Sequence, residues 1–279
     1  MDFIKTFADI LKAMLYRLLR SRMTLVFILI LVISIMCGIA ALKAIGANTA
    51  LFADMSATSS DITLGLSVLA ADASGVDFAR ACGMLFVRGS FIAMMVAVFC
   101  GVFFASDLRS GTVKNVIIGC TGRTAYMLAA GVCTLMITAF AVLVGVVISL
   151  AALIISGFAV AVSDPAQFVG WLGEVWLSVA AYAVLAVVVA LMSKSMVLAA
   201  VVGFLLGGAA VENLLYSVIG LITGHPSEVR AIFDGYLAVI VSQLGYGNVL
   251  PADVLLPVLV TIAVAIAVGM LVVRRRSLA

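Results

Sequence analysis

The chain has 279 residues, of which 66% are apolar and 10% are charged, and its formal net charge is +3. Soluble domains are about 45–50% apolar and about 25% charged, so this composition excludes an ordinary soluble protein and predicts one that lies in a lipid bilayer. The small excess of basic residues gives no reason to expect a nucleic-acid partner.

The first predicted element is an amphipathic helix over residues 1–22. Apolar side chains recur at helical spacing on one face, whereas Lys5, Asp9 and Lys12 line the other face. Such a helix is expected to lie flat on the membrane surface. A cleaved signal peptide is the alternative, but it would have a shorter charged region and an apolar core of only about 7–15 residues. We therefore expect a retained interfacial helix.

Six apolar runs follow, and each is long enough for the roughly 20 residues that cross about 30 Å of hydrocarbon. They lie near residues 23–43, 90–106, 125–158, 171–192, 196–222 and 252–273. The third run contains no polar turn, so we expect one long or bent helix there rather than a hairpin. The sequence therefore predicts an all-α membrane protein with six transmembrane helices in a single domain over residues 1–279.

The basic residues predict the orientation of these helices. If the N-terminus is cytoplasmic, four of the 16 lysines and arginines fall outside, namely Lys43, Arg80, Arg88 and Arg230. The other basic residues fall inside, as the positive-inside rule requires. We therefore expect a multi-pass plasma-membrane protein with both termini in the cytoplasm. The outside loops, near 44–89 and 223–251, are its sizeable hydrophilic pieces.

Nothing in the sequence points to catalysis or to a bound metal. The one histidine, His225, cannot build a histidine metal cluster or a serine–histidine triad. The five cysteines show no paired or metal-ligand spacing. The phosphate-binding pattern G-x-x-x-x-G-K-[ST] does not occur, because no glycine precedes a lysine. We therefore expect that this chain is not an enzyme, and that another chain would bind any ATP and Mg²⁺.

A short basic segment, SDLRSGTVKNVIIGCTGR at residues 106–123, joins the second and third runs on the predicted cytoplasmic side. Ser110 or Thr112 can cap the start of a helix, and Gly119 can end it. A helix this short is marginal in water, so it needs a partner surface or the membrane interface.

One face of this short helix is apolar. Val113, Val116 and Ile117 share the i, i+3, i+4 spacing, and Lys114 and Asn115 lie beside them. From the residues alone, a protein groove and a tether on anionic lipid are equally open as its partner.

The segment resembles the corresponding loop of ABC-2 type exporter permeases, especially the bacitracin-resistance and lantibiotic-immunity group. The shared pattern is acidic-x-x-x-Gly-Thr-x-Lys-x, here Asp107 followed by Gly111, Thr112 and Lys114, with Arg123 at the start of the next run. The layout of an interfacial helix, six spans, a large first outside loop and a basic C-terminal end is also similar. Asp107 stands where the family often has Glu, and Ser277 where it often has an acidic residue.

This resemblance implies that residues 110–119 form a coupling helix seated in a groove of a separate ATP-binding subunit. The residues it assigns to coupling are Asp107, Gly111, Thr112, Val113, Lys114, Val116, Ile117 and Arg123. It also implies a second permease chain, identical or paralogous, and ATP and Mg²⁺ bound by the ATPase rather than by this chain. The implied function is ATP-driven export of antimicrobial peptides or other amphipathic compounds.

Two acidic residues, Glu174 and Glu212, fall inside predicted spans toward the outer side. Glu212 either snorkels to the interface or faces a translocation path, paired by Asn213 or by an arginine of an outside loop. Glu174 is a second candidate for that path.

Two other classes of protein stay open. A stand-alone secondary transporter would be expected to place charged sites near the midplane, and a membrane-embedded sensor or assembly subunit would need no ATPase. The glycine pairs Gly203-x-x-x-Gly207 and Gly220-x-x-x-Gly224 are candidates for a dimer seam.

Overall fold

A computed structural model describes residues 3–47, 76–109, 120–158, 160–162, 164–208, 210, 214–215, 217–219 and 236–275. Its elements in chain order are α1 (Phe3–Arg20), α2 (Arg22–Ala47), β1 (Val76–Asp77), α3 (Phe78–Cys82), α4 (Phe91–Arg109), α5 (Cys120–Ile155), β2 (Val160–Ala161), α6 (Pro165–Ser193), α7 (Met196–Gly207), α8 (Leu237–Leu244) and α9 (Ala252–Arg275). A π-helical turn (Gly83–Val87) and a 3-10 turn (Arg88–Ser90) join α3 to α4. The short strands β1 and β2 pair in parallel.

Five of the described helical segments are long and apolar enough to cross a membrane. They are Arg22–Ala40, Phe78–Arg109, Thr124–Ile155, Pro165–Ser193 and Asp253–Val273. The predicted fifth span, 196–222, is described as a continuous helix only over α7, whose 12 residues reach about 18 Å. The all-α, multi-pass character is thus confirmed, whereas the count of six spans stays a prediction.

Helix α5 is a single helix of 36 residues, about 54 Å long, as the lack of a polar turn predicted. Gly145, in the middle of this helix, is a residue at which a membrane helix can bend, and it packs inside the bundle. A Cβ at this position would lie 3.5 Å from the Phe86 ring and 3.6 Å from Ile92. These are ordinary van der Waals distances, so the packing does not require glycine at this position, and the helix continues through it.

Helix α6 is the most deeply buried of the five candidate spans and packs against α4, α5, α7 and α9. Its N-terminus is capped by Asp164, whose carboxylate accepts a hydrogen bond from Ala166 N at 2.9 Å, and Pro165 fills the first turn. At its other end Lys194 takes a left-handed conformation with φ of 54°. The turn there leads directly into α7, which Ser195 caps.

Helices α7 and α4 cross at very short range. A Cβ at Gly207 would lie 2.4 Å from Met94 Cα, and one at Gly203 would lie 2.9 Å from Val98 N. Side chains at these positions would push the two backbones apart. The Gly203-x-x-x-Gly207 pair is therefore used for packing within the chain, which corrects its interpretation as a dimer seam. The Gly220-x-x-x-Gly224 pair lies outside the described residues.

Helix α1 packs against α5 through Ile10, Met14 and Leu18, which are all buried. A one-residue break at Ser21 separates α1 from α2, and Ser21 Oγ accepts a hydrogen bond from Met23 N at 3.1 Å. Residues 3–20 are thus helical as expected. Their placement on a membrane surface stays a prediction.

Parts of the two segments expected to be hydrophilic outside loops are instead buried. Within 44–89, the stretch 78–87 is helical, and Cys82 and Phe86 are fully buried in it. Within 223–251, α8 buries Leu237, Ile240 and Leu244. The buried residues of α8 share one helix face, whereas burial in 78–87 extends around the helix. Both stretches therefore belong to the core.

Candidate functional site

An ion pair joins the ends of two helices of the bundle. Asp107 lies in the last turn of α4, and its side chain is only 2% exposed. Arg17, in the last turn of α1, donates from Nη2 to Asp107 Oδ1, and its side chain is 39% exposed. The pair joins residues 90 positions apart in the sequence. It fastens α1 to the end of α4.

The position of Asp107 explains why a cation is needed. A carboxylate in the last turn of a helix opposes the helix dipole, and a buried carboxylate also loses its hydration. The Arg17 guanidinium offsets both costs. Because Arg17 is itself in the last turn of α1, its charge is favourable for that helix.

The same junction includes the start of α5. Tyr126, in the second turn of α5, is buried, and α5 packs against both α1 and α4. Three helices, α1, α4 and α5, therefore meet around one buried carboxylate. We call this arrangement of Arg17, Asp107 and Tyr126 the junction.

The junction adjoins the segment that the sequence assigns to coupling. Helix α4 ends at Arg109 and α5 begins at Cys120. Of the predicted coupling residues, Asp107 is described in full, and Arg123 is described only as part of the α5 backbone. The others, Gly111, Thr112, Val113, Lys114, Val116 and Ile117, lie outside the described residues. Asp107 thus lies three residues before the 110–119 segment, and its ion pair with Arg17 fixes its position against α1.

Arg17 was not predicted as a site residue. Its position carries a usable signal, because it lies three residues after Met14 and seven after Ile10. At 3.6 residues per turn, these spacings place Arg17 beside the apolar face of α1 rather than on its polar face. A basic residue on the buried side of an interfacial helix indicates an acidic partner within the protein.

A second cluster of contacts lies in the N-terminal part of α6. Glu174 is buried, and its Oε2 accepts a hydrogen bond from the Leu250 N–H at 2.9 Å. One turn earlier, Trp171 Nε1 donates to the carbonyl oxygen of Leu244 at 2.8 Å. These two bonds hold both ends of the 244–250 stretch that leads into α9. Glu174, predicted as a translocation-path residue, is thus engaged in fixing a connection. Glu212 and Asn213 lie outside the described residues.

The 244–250 stretch also packs tightly on the segment before α4. The Arg88 guanidinium carbon lies 4.7 Å from the centre of the Tyr246 ring, and Arg88 Nη2 donates to Tyr246 Oη at 3.4 Å. Gly247 has φ of +81°, and a Cβ there would lie 2.6 Å from Arg80 Cα. Only glycine fits this contact, so the end of the bundle opposite the junction is closed by backbone packing.

Among the described residues, no group of three or more histidine, cysteine, aspartate or glutamate side chains could hold a metal ion. No family model and no curated protein matches the sequence.

Proposed function

We propose that this chain is the membrane-spanning permease subunit of an ATP-driven exporter of the ABC-2 type. The observation that carries the proposal is the burial of Asp107. The first residue of the family-like motif is held by Arg17 at the end of α4, next to the 110–119 segment.

The junction suits a mechanical role. A helix seated in a partner subunit can move the membrane helices only if its ends are firmly joined to them. The Arg17–Asp107 pair links α1 to α4, and α5, which begins where the segment ends, packs against both helices. A displacement of residues 110–119 would therefore move α1, α4 and α5 together. In this proposal ATP and Mg²⁺ are bound by the separate ATPase, and two permease chains form one exporter.

The cargo follows from the sequence resemblance alone. Bacitracin-resistance and lantibiotic-immunity permeases suggest an amphipathic antimicrobial peptide or a lipid-linked compound, released on the outer side. Adjacent coding of an ATPase gene would support this proposal over a sensor or assembly subunit, which requires no ATPase.

The test is copurification of this chain, expressed in its own cells, with an ATP-binding subunit of the ABC type. Val116→Asp should leave the chain inserted but abolish the association, because a charge buried without a partner costs several kcal/mol. Asn115→Asp is the matched control. It adds the same charge beside the predicted apolar face rather than on it, and it should leave the association intact.

Three outcomes would contradict the proposal. The ATPase could fail to copurify with the wild-type chain, it could stay bound to the Val116→Asp variant, or the two variants could lose it equally. Residues 110–119 would then not be a groove-bound coupling helix.

A further inference from the structure

We propose that a groove between α2 and α4 binds one acyl chain of an anionic phospholipid, whose phosphate pairs with Arg22. The inference concerns a lipid site and does not depend on the transport proposal.

The groove is apolar and open to one side. Its volume is about 380 Å³, and its lining includes Arg22, Val26, Phe27, Ile30, Met95 and Phe99. The rings of Phe27 and Phe99 are 4.8 Å apart and are both buried, so they form its inner wall. Val26 and Ile30 are 54% and 40% exposed and form its lip. In a membrane, this open side faces hydrocarbon.

The length of the groove fits one leaflet. From Arg22 to Ile30 it follows eight residues of α2, about 12 Å at 1.5 Å per residue. Half of a hydrocarbon core of about 30 Å is roughly 15 Å. A spanning helix from a second copy would need contact along the full thickness. A groove that stops near the midplane therefore fits an acyl chain better than a helix.

The charge of the groove selects the headgroup. Arg22 is the one charged residue among those that line it, and it lies at the end of α2 nearest to Arg17 in the junction. Basic residues between membrane helices on the cytoplasmic side bind anionic lipid headgroups, and each contributes about 1 kcal/mol near the membrane surface. In the predicted orientation, the lipid comes from the cytoplasmic leaflet.

The experiment is native mass spectrometry of the purified full chain with equal amounts of phosphatidylglycerol and phosphatidylcholine. Wild type should retain one phosphatidylglycerol in preference. Arg22→Gln should lower this preference roughly fivefold, the factor that corresponds to about 1 kcal/mol. Arg20→Gln, which removes the same charge outside the groove, should not lower it.

A second pair of variants tests the groove itself. Val26→Trp should fill the groove and lower lipid retention, whereas Leu25→Trp, on the neighbouring exposed position, should not. Equal retention of the two lipids by wild type would overturn the proposal, as would equal effects within either pair of variants. Disulfide-linked dimers of Val26→Cys, in membranes and in a chain otherwise free of cysteine, would show instead that a second copy covers the groove.

Discussion

Removing either partner of the Arg17–Asp107 pair should destabilise the chain, but by unequal amounts. Arg17→Gln leaves a carboxylate that is 2% exposed without this guanidinium, whereas Asp107→Asn leaves a guanidinium that is 39% exposed and can reach water. Breaking a buried ion pair costs about 3–5 kcal/mol, and the partial exposure of Arg17 places this pair at the lower end, about 3 kcal/mol. Asp107→Asn should cost only about 1 kcal/mol, the usual net contribution of a hydrogen bond.

These costs convert into measurable melting shifts. If the bundle behaves like a soluble domain of 150–250 residues, each kcal/mol shifts the melting temperature by about 2–4 °C. Arg17→Gln should therefore lower it by about 6–12 °C and Asp107→Asn by about 2–4 °C. The fluorescence of Trp171 and Trp176, both in α6, reports unfolding in detergent far from the mutated pair.

A double-mutant cycle isolates the pair from other contacts of Arg17. Arg17→Gln combined with Asp107→Asn should be more stable than Arg17→Gln alone, because the buried charge is then gone. Arg20→Gln, which removes an exposed charge in the same turn, is the control and should shift the melting temperature little. The reasoning is refuted if Asp107→Asn costs as much as Arg17→Gln, or if the double variant is the least stable of the three.

Three further predictions concern the packing and the orientation. Gly207→Ala should destabilise the chain, because its new Cβ would overlap the α4 backbone, whereas Gly173→Ala, with open space around it, should be neutral or slightly stabilising in thermal melts. Glu174→Leu should lower the stability by about 1–3 kcal/mol, because the Leu250 N–H loses its acceptor. Glu174→Gln keeps an acceptor oxygen and should retain most of that stability. Equal losses of stability in the two variants would contradict the hydrogen-bond role. In an otherwise cysteine-free chain, a cysteine at Ser60 should react with an impermeant reagent added outside, whereas a cysteine at Asn115 should not. The reverse labelling pattern would refute the predicted orientation.

Much of the helical layout could be predicted from the sequence because a membrane helix needs only a long apolar run. The uninterrupted run near 125–158 predicted α5, and the helical periodicity of the first 20 residues predicted α1. The buried segments 78–87 and 237–244 were assigned to hydrophilic loops because they are too short to span a bilayer. Length is a poor guide there, since short apolar helices can pack on the bundle.

The contacts between helices could not be predicted in the same way. A small-x-x-x-small pattern indicates that two helices approach closely, but it does not name the partner, and Gly203 and Gly207 proved to pack on α4. Arg17 and Asp107 are 90 residues apart, so no local period relates them. The family-like motif drew attention to Asp107, whereas its partner became evident only from the packing of α1.

The central claim is that the segment beyond the junction meets an ATPase. A photo-crosslinking residue at Val116, activated in cells and followed by mass spectrometry of the adduct, tests it most directly. We predict an adduct with an ATP-binding subunit of the ABC type. This adduct should persist in the Asn115→Asp variant and disappear when Ile117→Asp is added to it. Adducts with lipid only, or with no ATP-binding subunit, would contradict the account.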